Sequence, residues 1–191
     1  MNKLTTTEWK YFTISRLFTI KPPASRSIKQ YNDGDVPYVS SSKVNNGVIS
    51  YLEPKEDEIL EAGKCITVNP LDGTAFYQED DFLGRGGAGS AISLLYNEEM
   101  SKYSALFICT VIKTTARQFD YSDAFTSDNL LNFSIPLPVQ HTNDGNITID
   151  DSHKYSDNGF VPDWKYMESY MEQIEETSQR RIDMFKSLVS L

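Results

Sequence analysis

Near residue 162 the periodicity of this chain changes from that of strands to that of a helix. Before it lie short β-branched and aromatic runs broken by turn residues; "VPDWKYMESYMEQIEE" then opens a stripe at three- and four-residue steps. Pro162 and Asp163 suit a helix start. Beyond them come Trp164, Met167, Met171, Ile174, Ile182, Phe185 and Leu188 or Val189, with Ser178 and Arg181 interrupting the stripe. Roughly 28 residues at ~1.5 Å each make a rod of ~42 Å, longer than one domain needs as a cap. The pattern predicts an α+β chain: a β-rich globular head over residues 1–160 and one long amphipathic helix over 161–191. The helix packs on its own head, or it also packs against another helix in a dimer or partner. Both hold if only part of the stripe is covered at home.

The head divides at its turns. Trp9, Phe12, Ile14, Leu17 and Phe18 form an apolar opening, either a short strand or an anchor against the core. "IKPPASRS" is a loop and "DGDVP" a turn, with "YVSSSKV" a short strand after it. "NNG" tolerates positive φ and marks a hairpin whose returning strand is "VISYL". The acidic "EPKEDEILEAG" predicts a solvated loop or single helical turn. "KCITVN", "TAFYQ" and "ISLLY" are strands. "ALFICTVI", the longest apolar run, fits a buried strand or the start of a core helix. "FSIPLP" is an edge or exit segment because of its prolines, and "QHTNDGNITIDDSHKYSDNG" is a polar linker around a small hairpin.

With 39% apolar and 12% aromatic residues among 191, the chain can bury a core, which excludes global disorder. No apolar run approaches the ~20 residues of a membrane span, and "MNKLTTTEWK" lacks the apolar stretch of a secretory signal. Cys65 and Cys109 have no metal-ligand spacing, so the reducing cytoplasm is the expected compartment. The net charge of −9 argues against nucleic acid, but its distribution softens the objection. Residues 1–46 carry seven Lys/Arg against three Asp/Glu, whereas residues 47–100 carry three against eleven. A basic face on an acidic body fits that distribution.

Sites with chemistry of their own are weak. Gly84, Gly86 and Gly89 spell a G-x-G-x-x-G, but a strand-like run rather than a helix follows, so a loop carrying Arg85 explains it better than a dinucleotide site. "NPLD" (Asn69 to Asp72) lacks the second proline and the aromatic of an amino-methyltransferase motif. Asp35, Glu53 and Lys55 have the spacing of a Mg²⁺-dependent nuclease, with Pro54 inside the triplet. His141 and His153 lie in the polar linker. The expectation is no catalytic residue, no metal and no cofactor in this chain.

Groove-reading chemistry does cluster. Ser40, Ser41, Ser42, Lys43, Asn45 and Asn46 crowd hydroxyls, amides and a cation around one tight turn. Asn suits adenine edges, Lys and Arg suit guanine, and Ser suits phosphate or base. Arg26, Lys29, Arg85, Lys113 and Arg117 sit in other loops or strand ends, as candidates for the DNA backbone. For each residue alone, turn-building is the simpler account.

The ordered strings "W-x-x-F-x-I-x-x-L-F-x-I", "GDVPYVSSS", "NNGVI", "AFYQ-x-x-DF", "LFICTVI", "IPLPV" and "PDW-x-YME" resemble a target recognition domain. Such domains belong to the specificity subunits of type I restriction–modification systems and to fused type II enzymes, and the resemblance covers about residues 9 to 175. It implies an α+β domain reading a few base pairs through the major groove, followed by a conserved-region helix. It also implies double-stranded DNA and methyltransferase subunits as partners, the latter using S-adenosylmethionine, with restriction subunits joining them. Whole specificity subunits resemble two such units arranged head to tail, whereas this chain resembles half of one. The resemblance thereby predicts a homodimer through the Trp164–Leu188 stripe and a symmetric, bipartite DNA site. The rival readings are a small Mg²⁺-dependent nuclease and a protein-interaction module of antirestriction type.

Overall fold

A computed structural model describes residues 4–24, 26–87, 91–117 and 127–189. Its architecture is mixed α+β. Strand β1 (Lys10–Thr13) runs through a single helical turn, α1 (Ile14–Leu17), into β2 (Thr19–Lys21). After these come β3 (Asp33–Val39), β4 (Val48–Leu52), β5 (Cys65–Val68), β6 (Ala75–Gln78), β7 (Leu83–Gly84) and β8 (Ser93–Tyr96). Helix α2 (Lys102–Ala116), helix α3 (Ser127–Asn132), strand β9 (Ser134–Leu137) and helix α4 (Trp164–Val189) complete the order.

Three small sheets result. The largest has the order β2-β8-β5-β6 and is antiparallel throughout, with Ile66 opposite Tyr77 on one side and Leu95 on the other. A second has the order β4-β3-β7, and β7 joins β3 in parallel. In the third, β1 pairs with β9 and Tyr11 faces Pro136, so the proline occupies a two-stranded ribbon. "DGDVP", expected as a turn, lies within β3; the ladder ends at Val39, before the serines.

"ALFICTVI" is helix, not strand. Ser101 accepts from the Ser104 N–H and the Ser104 side chain accepts from the Ser101 N–H, a capping box that fixes the start of α2. Ala105, Ile108, Cys109, Ile112 and Ala116 then bury at helical spacing. Helix α2 packs on β5, β6 and β9 and also on α4. Phe107 links these layers, its ring 5.5 Å from Trp9 and 5.8 Å from Tyr170 in an edge contact.

The polar stretch before α4 is no free linker. It forms hairpin bridges His141–Ile147 and Ile149–Phe160, and Tyr155 is buried with its hydroxyl donating to Glu99. Arg16 holds it too, bonding His153 O and Asp157.

Helix α4 starts as the sequence predicts, with Asp163 Oδ1 accepting from the Tyr166 N–H at 2.9 Å. Its apolar stripe then divides. Met167 is 0% exposed and belongs to the head's core; Trp164, Tyr170 and Met171 pack against the same cluster, and Ile174 is half-buried. Ile182, Phe185 and Leu188 stand exposed, Phe185 at 63%, together with Met184, which the stripe had not included. Expecting one continuous interface from Trp164 to Leu188 is therefore corrected. The head claims the first three turns because α2 offers them an apolar surface, and residues past Gln179 are exposed with no such surface among the described residues. Among the described residues no helix is long and apolar enough to cross a membrane.

Candidate nucleic-acid interface

Two turns meet beside β6, and a third segment joins the end of β3. The first is the turn between β3 and β4, where Asn45 (φ 52°), Asn46 (φ 53°) and Gly47 (φ 80°) adopt left-handed backbone in succession. Asparagine tolerates this region better than other side-chain-bearing residues, which explains "NNG" locally. The second is the Asn69–Thr74 turn between β5 and β6, closed by Asn69 N–H to Thr74 O at 2.8 Å. The third follows β7: the Arg85 N–H donates to Val39 O at 2.8 Å, and the Ile92 N–H donates to Arg85 O at 3.2 Å.

The first turn is spanned from both sides. Asn46 Nδ2 donates to Tyr77 O at 3.0 Å and to Gln78 Oε1 at 3.2 Å, while Gln78 Nε2 donates to Asn46 O at 3.0 Å. Asn45 Nδ2 donates to Val48 O at 3.0 Å. At the other side Asn69 Nδ2 reaches Ser41 O at 3.4 Å, and Lys43 Nζ lies 2.8 Å from Asp72 Oδ2. Burial alone would raise the Asp72 carboxyl; hydrogen bonds from Lys43 and Thr74 outweigh it and hold the group below the usual carboxylate range.

The candidate residues fare differently. Ser41 and Lys43 meet the Asn69–Thr74 turn, Ser42 lies between them in sequence, and the exposed Arg85 follows the backbone bond that ties its loop to Val39. Ser40 is not available: it is 6% exposed, its N–H given to Gly47 O. Asn45 and Asn46 occupy the turn, but the amides proposed as adenine readers are spent on Val48, Tyr77 and Gln78, tying the turn to its returning strand and to β6. Lys29 is exposed ahead of β3, a seven-residue strand away from the turn, roughly 20 Å. Lys113 stands on the last turn of α2 and Arg117 is its C-cap, outside all three loops.

Arg26 is a correction. Its guanidinium is 3% exposed and fully engaged: Nε to Glu58 Oε1 at 2.7 Å, one terminal nitrogen to Glu61 Oε1 at 2.6 Å and Gly84 O at 3.1 Å, the other to Ile59 O at 2.7 Å. Burial would lower its pKa, but the two carboxylates reverse the sign and raise it. Tyr31 donates to the same Glu58 at 2.7 Å; burial and that bond push its phenol up to about 12. The acidic loop expected to be solvated is thus pinned inward, and Arg26 cannot reach a phosphate.

Gly84 and Gly86 serve close packing. A Cβ on Gly86 would sit 2.3 Å from Pro23 O, and one on Gly84 2.7 Å from Pro23 Cβ. Gly89 lies outside the described residues. Among the described residues no three His, Cys, Asp or Glu side chains gather to hold a metal ion, Asp35 and Glu53 included. Burial pushes the Cys65 thiol up to about 12, which keeps it protonated and inert.

Sequence reasoning missed Val44 at the tip of the first turn, 70% exposed, and Leu71 on the second, 54% exposed. "NPLDG" signalled a turn, but nothing in the string told that it lies against "SSSK". The first two turns carry hydroxyls, the Lys43 cation and the exposed Val44 and Leu71, a mixture suited to polar edges and methyl groups together.

The chain is similar to several known proteins in sequence or in fold. The specificity subunit of the BcgI type II restriction enzyme of Heyndrickxia coagulans is 25% identical over 182 residues, covering 93% of this chain and 47% of that protein. The HsdS subunit from Thermoanaerobacter tengcongensis superposes with a TM-score of 0.52 at 14% identity, over 92% of this chain and 39% of that one. The type I restriction-modification S subunit from M. genitalium gives 0.52 at 11% identity, over 95% and 44%. The chain spans about half the length of these relatives or less, and the structural likenesses support the fold. The family described as the type I restriction modification DNA specificity domain matches residues 6–179, and the chain belongs to it.

Proposed function

We propose that this chain is a sequence-recognition module of a restriction–modification system, without catalysis of its own, that directs methyltransferase and restriction subunits to a DNA site. Family membership over residues 6–179 carries the reading. The joined β3–β4 and β5–β6 turns, with Lys43, Val44 and Leu71 exposed on them, support it, because they combine donors for base edges and phosphates with apolar groups for thymine methyls. The methyltransferase partner supplies S-adenosylmethionine chemistry, and the complex works in the cytoplasm. An electrophoretic shift with the methyltransferase subunit, on duplexes containing the site it methylates, tests this; no complex and no shift would sink it. The Mg²⁺-nuclease and antirestriction readings have no observation in their favour.

The second recognition unit is a second copy, joined through the distal half of α4. Residues 164–177 carry four Glu and one Lys, whereas residues 178–189 carry Arg180, Arg181 and Lys186 against Asp183. Pairing of the two distal halves covers Ile182, Phe185 and Leu188, which the head leaves exposed.

A further inference from the structure

We propose that Asn69 is a positioning residue for base recognition, whose buried amide sets the gap between the β3–β4 turn and the β5–β6 turn. This rests on the DNA-recognition reading above. Asn69 is 3% exposed; its Oδ1 accepts from the Leu71 N–H at 3.0 Å, and its Nδ2 donates to Ser41 O at 3.4 Å. One planar group thus shapes its own turn and reaches the segment that leads into Val44. The partners orient the amide without ambiguity, because an N–H calls for an oxygen and a C=O calls for an N–H. Aspartate lacks the donor, and serine offers one atom where Asn69 uses two. Backbone bonds seat the residue: its N–H donates to Thr74 O at 2.8 Å, and its C=O accepts from the Gly73 N–H at 3.0 Å. Lys43 and Asp72 join the same turns at the surface, where solvent weakens an ion pair; the Asn69 amide is out of solvent. "NPLD" therefore has a spacing role in place of a methyltransferase one.

Val44 and Leu71 stand exposed on the two turns, so the gap decides whether both meet bases of one site. Successive base pairs lie ~3.4 Å apart along the duplex. A shift of that order carries one turn out of register with its base pair, whereas phosphates look alike at every step. Loosening the gap therefore costs sequence preference more than it costs affinity for DNA in general. If Asn69 only stabilised the head, its loss would weaken every duplex alike and leave their ranking unchanged.

The experiment starts from duplexes selected from random sequence by the full chain, alone and with the methyltransferase subunit. Affinity for the selected and a scrambled duplex is then measured at one salt concentration. Asn69→Ser keeps an acceptor for the Leu71 N–H, adds no charge and gives up the second atom that reaches Ser41. It should lower the selected-to-scrambled ratio about tenfold and, in a fresh selection, change the preferred base at some positions and not others. Asn69→Asp also loses the donor and should act in the same direction, which keeps the test open if one variant does not fold. Met167→Ala, which weakens the core under α4, should leave the ratio and the preferred bases unchanged. An unchanged ratio in the Asn69 variants, equal weakening of both duplexes, or the same loss of preference in Met167→Ala overturns the proposal. Wild-type chain that selects no duplex in either form overturns the DNA-recognition reading itself, a result the variants cannot mimic.

Discussion

Asn46 and Gln78 clasp one another across 32 residues of sequence: the Asn46 amide donates to Gln78 Oε1 at 3.2 Å, and the Gln78 amide returns a bond to Asn46 O at 3.0 Å. Gln78 Nε2 also donates to Thr67 Oγ1 at 3.1 Å and is 5% exposed as a residue. Gln78→Ala leaves the Asn46 carbonyl and the Thr67 hydroxyl without this donor, and should cost ~1–3 kcal/mol in urea unfolding. Asn46→Gly keeps the left-handed backbone and loses only the amide, so its cost should be smaller, ~1 kcal/mol. Unaltered stability in both variants would show that the clasp does not hold the turn.

The Arg26 network predicts acid sensitivity with a definite sign. Burial would raise Glu58, but bonds from Arg26, Tyr31 and the Lys55 N–H outweigh it, so its folded pKa lies below the usual value. A depressed carboxyl stabilises the fold above its unfolded pKa, near ~4.3, and that stabilisation fades as pH falls through the folded value. Unfolding free energy should decline below about pH 4.5, and Glu58→Gln should flatten the decline. Arg26→Ala strands two carboxylates and should cost ~3–5 kcal/mol at neutral pH. A wild-type curve no steeper than that of Glu58→Gln would refute this.

The two halves of α4 should respond in opposite ways. Met167→Ala removes a fully buried side chain and should cost ~2–5 kcal/mol in thermal or denaturant unfolding. Ile182→Glu with Phe185→Glu touches only exposed positions, so stability of the head should stay within ~0.5 kcal/mol. Under the proposed dimer the same pair of changes should halve the mass seen by light scattering. A dimer that survives them counts against that helix pairing.

Gly86 makes a further test. The nearest atoms to an added Cβ are the backbone oxygens of Pro23 and Ala24, at 2.3 and 2.4 Å, and neither can swing aside as a side chain would. Gly86→Ala should therefore cost ~1–3 kcal/mol by calorimetry and displace the neighbouring Arg85. A variant as stable as wild type would show that this loop yields freely.

Local grammar was legible wherever neighbours in sequence decide the outcome. "NNG" is a left-handed turn, Asp163 caps a helix, and "KCITVN", "TAFYQ" and "ISLLY" are strands. Reading failed where a distant partner decides. "ALFICTVI" has an apolar content that suits either element, and the capping serines just ahead of it tip it to helix. Arg26 looks like any loop arginine until Glu58 and Glu61, more than thirty residues away, fold over it. The asparagines look like base readers until β6 takes up Asn46 and the returning strand takes up Asn45.

By itself the sequence determined the α+β class, the place where the helix begins and, through an ordered set of motifs, the family. Those properties reside in periodicity, caps and motif order, which a linear string carries whole. Only the tertiary structure decided which half of the C-terminal helix is covered, which cations remain at the surface and that Lys43 meets Asp72. Each of these depends on long-range burial and pairing, where a side chain is free or committed according to what the fold brings within about 3 Å of it.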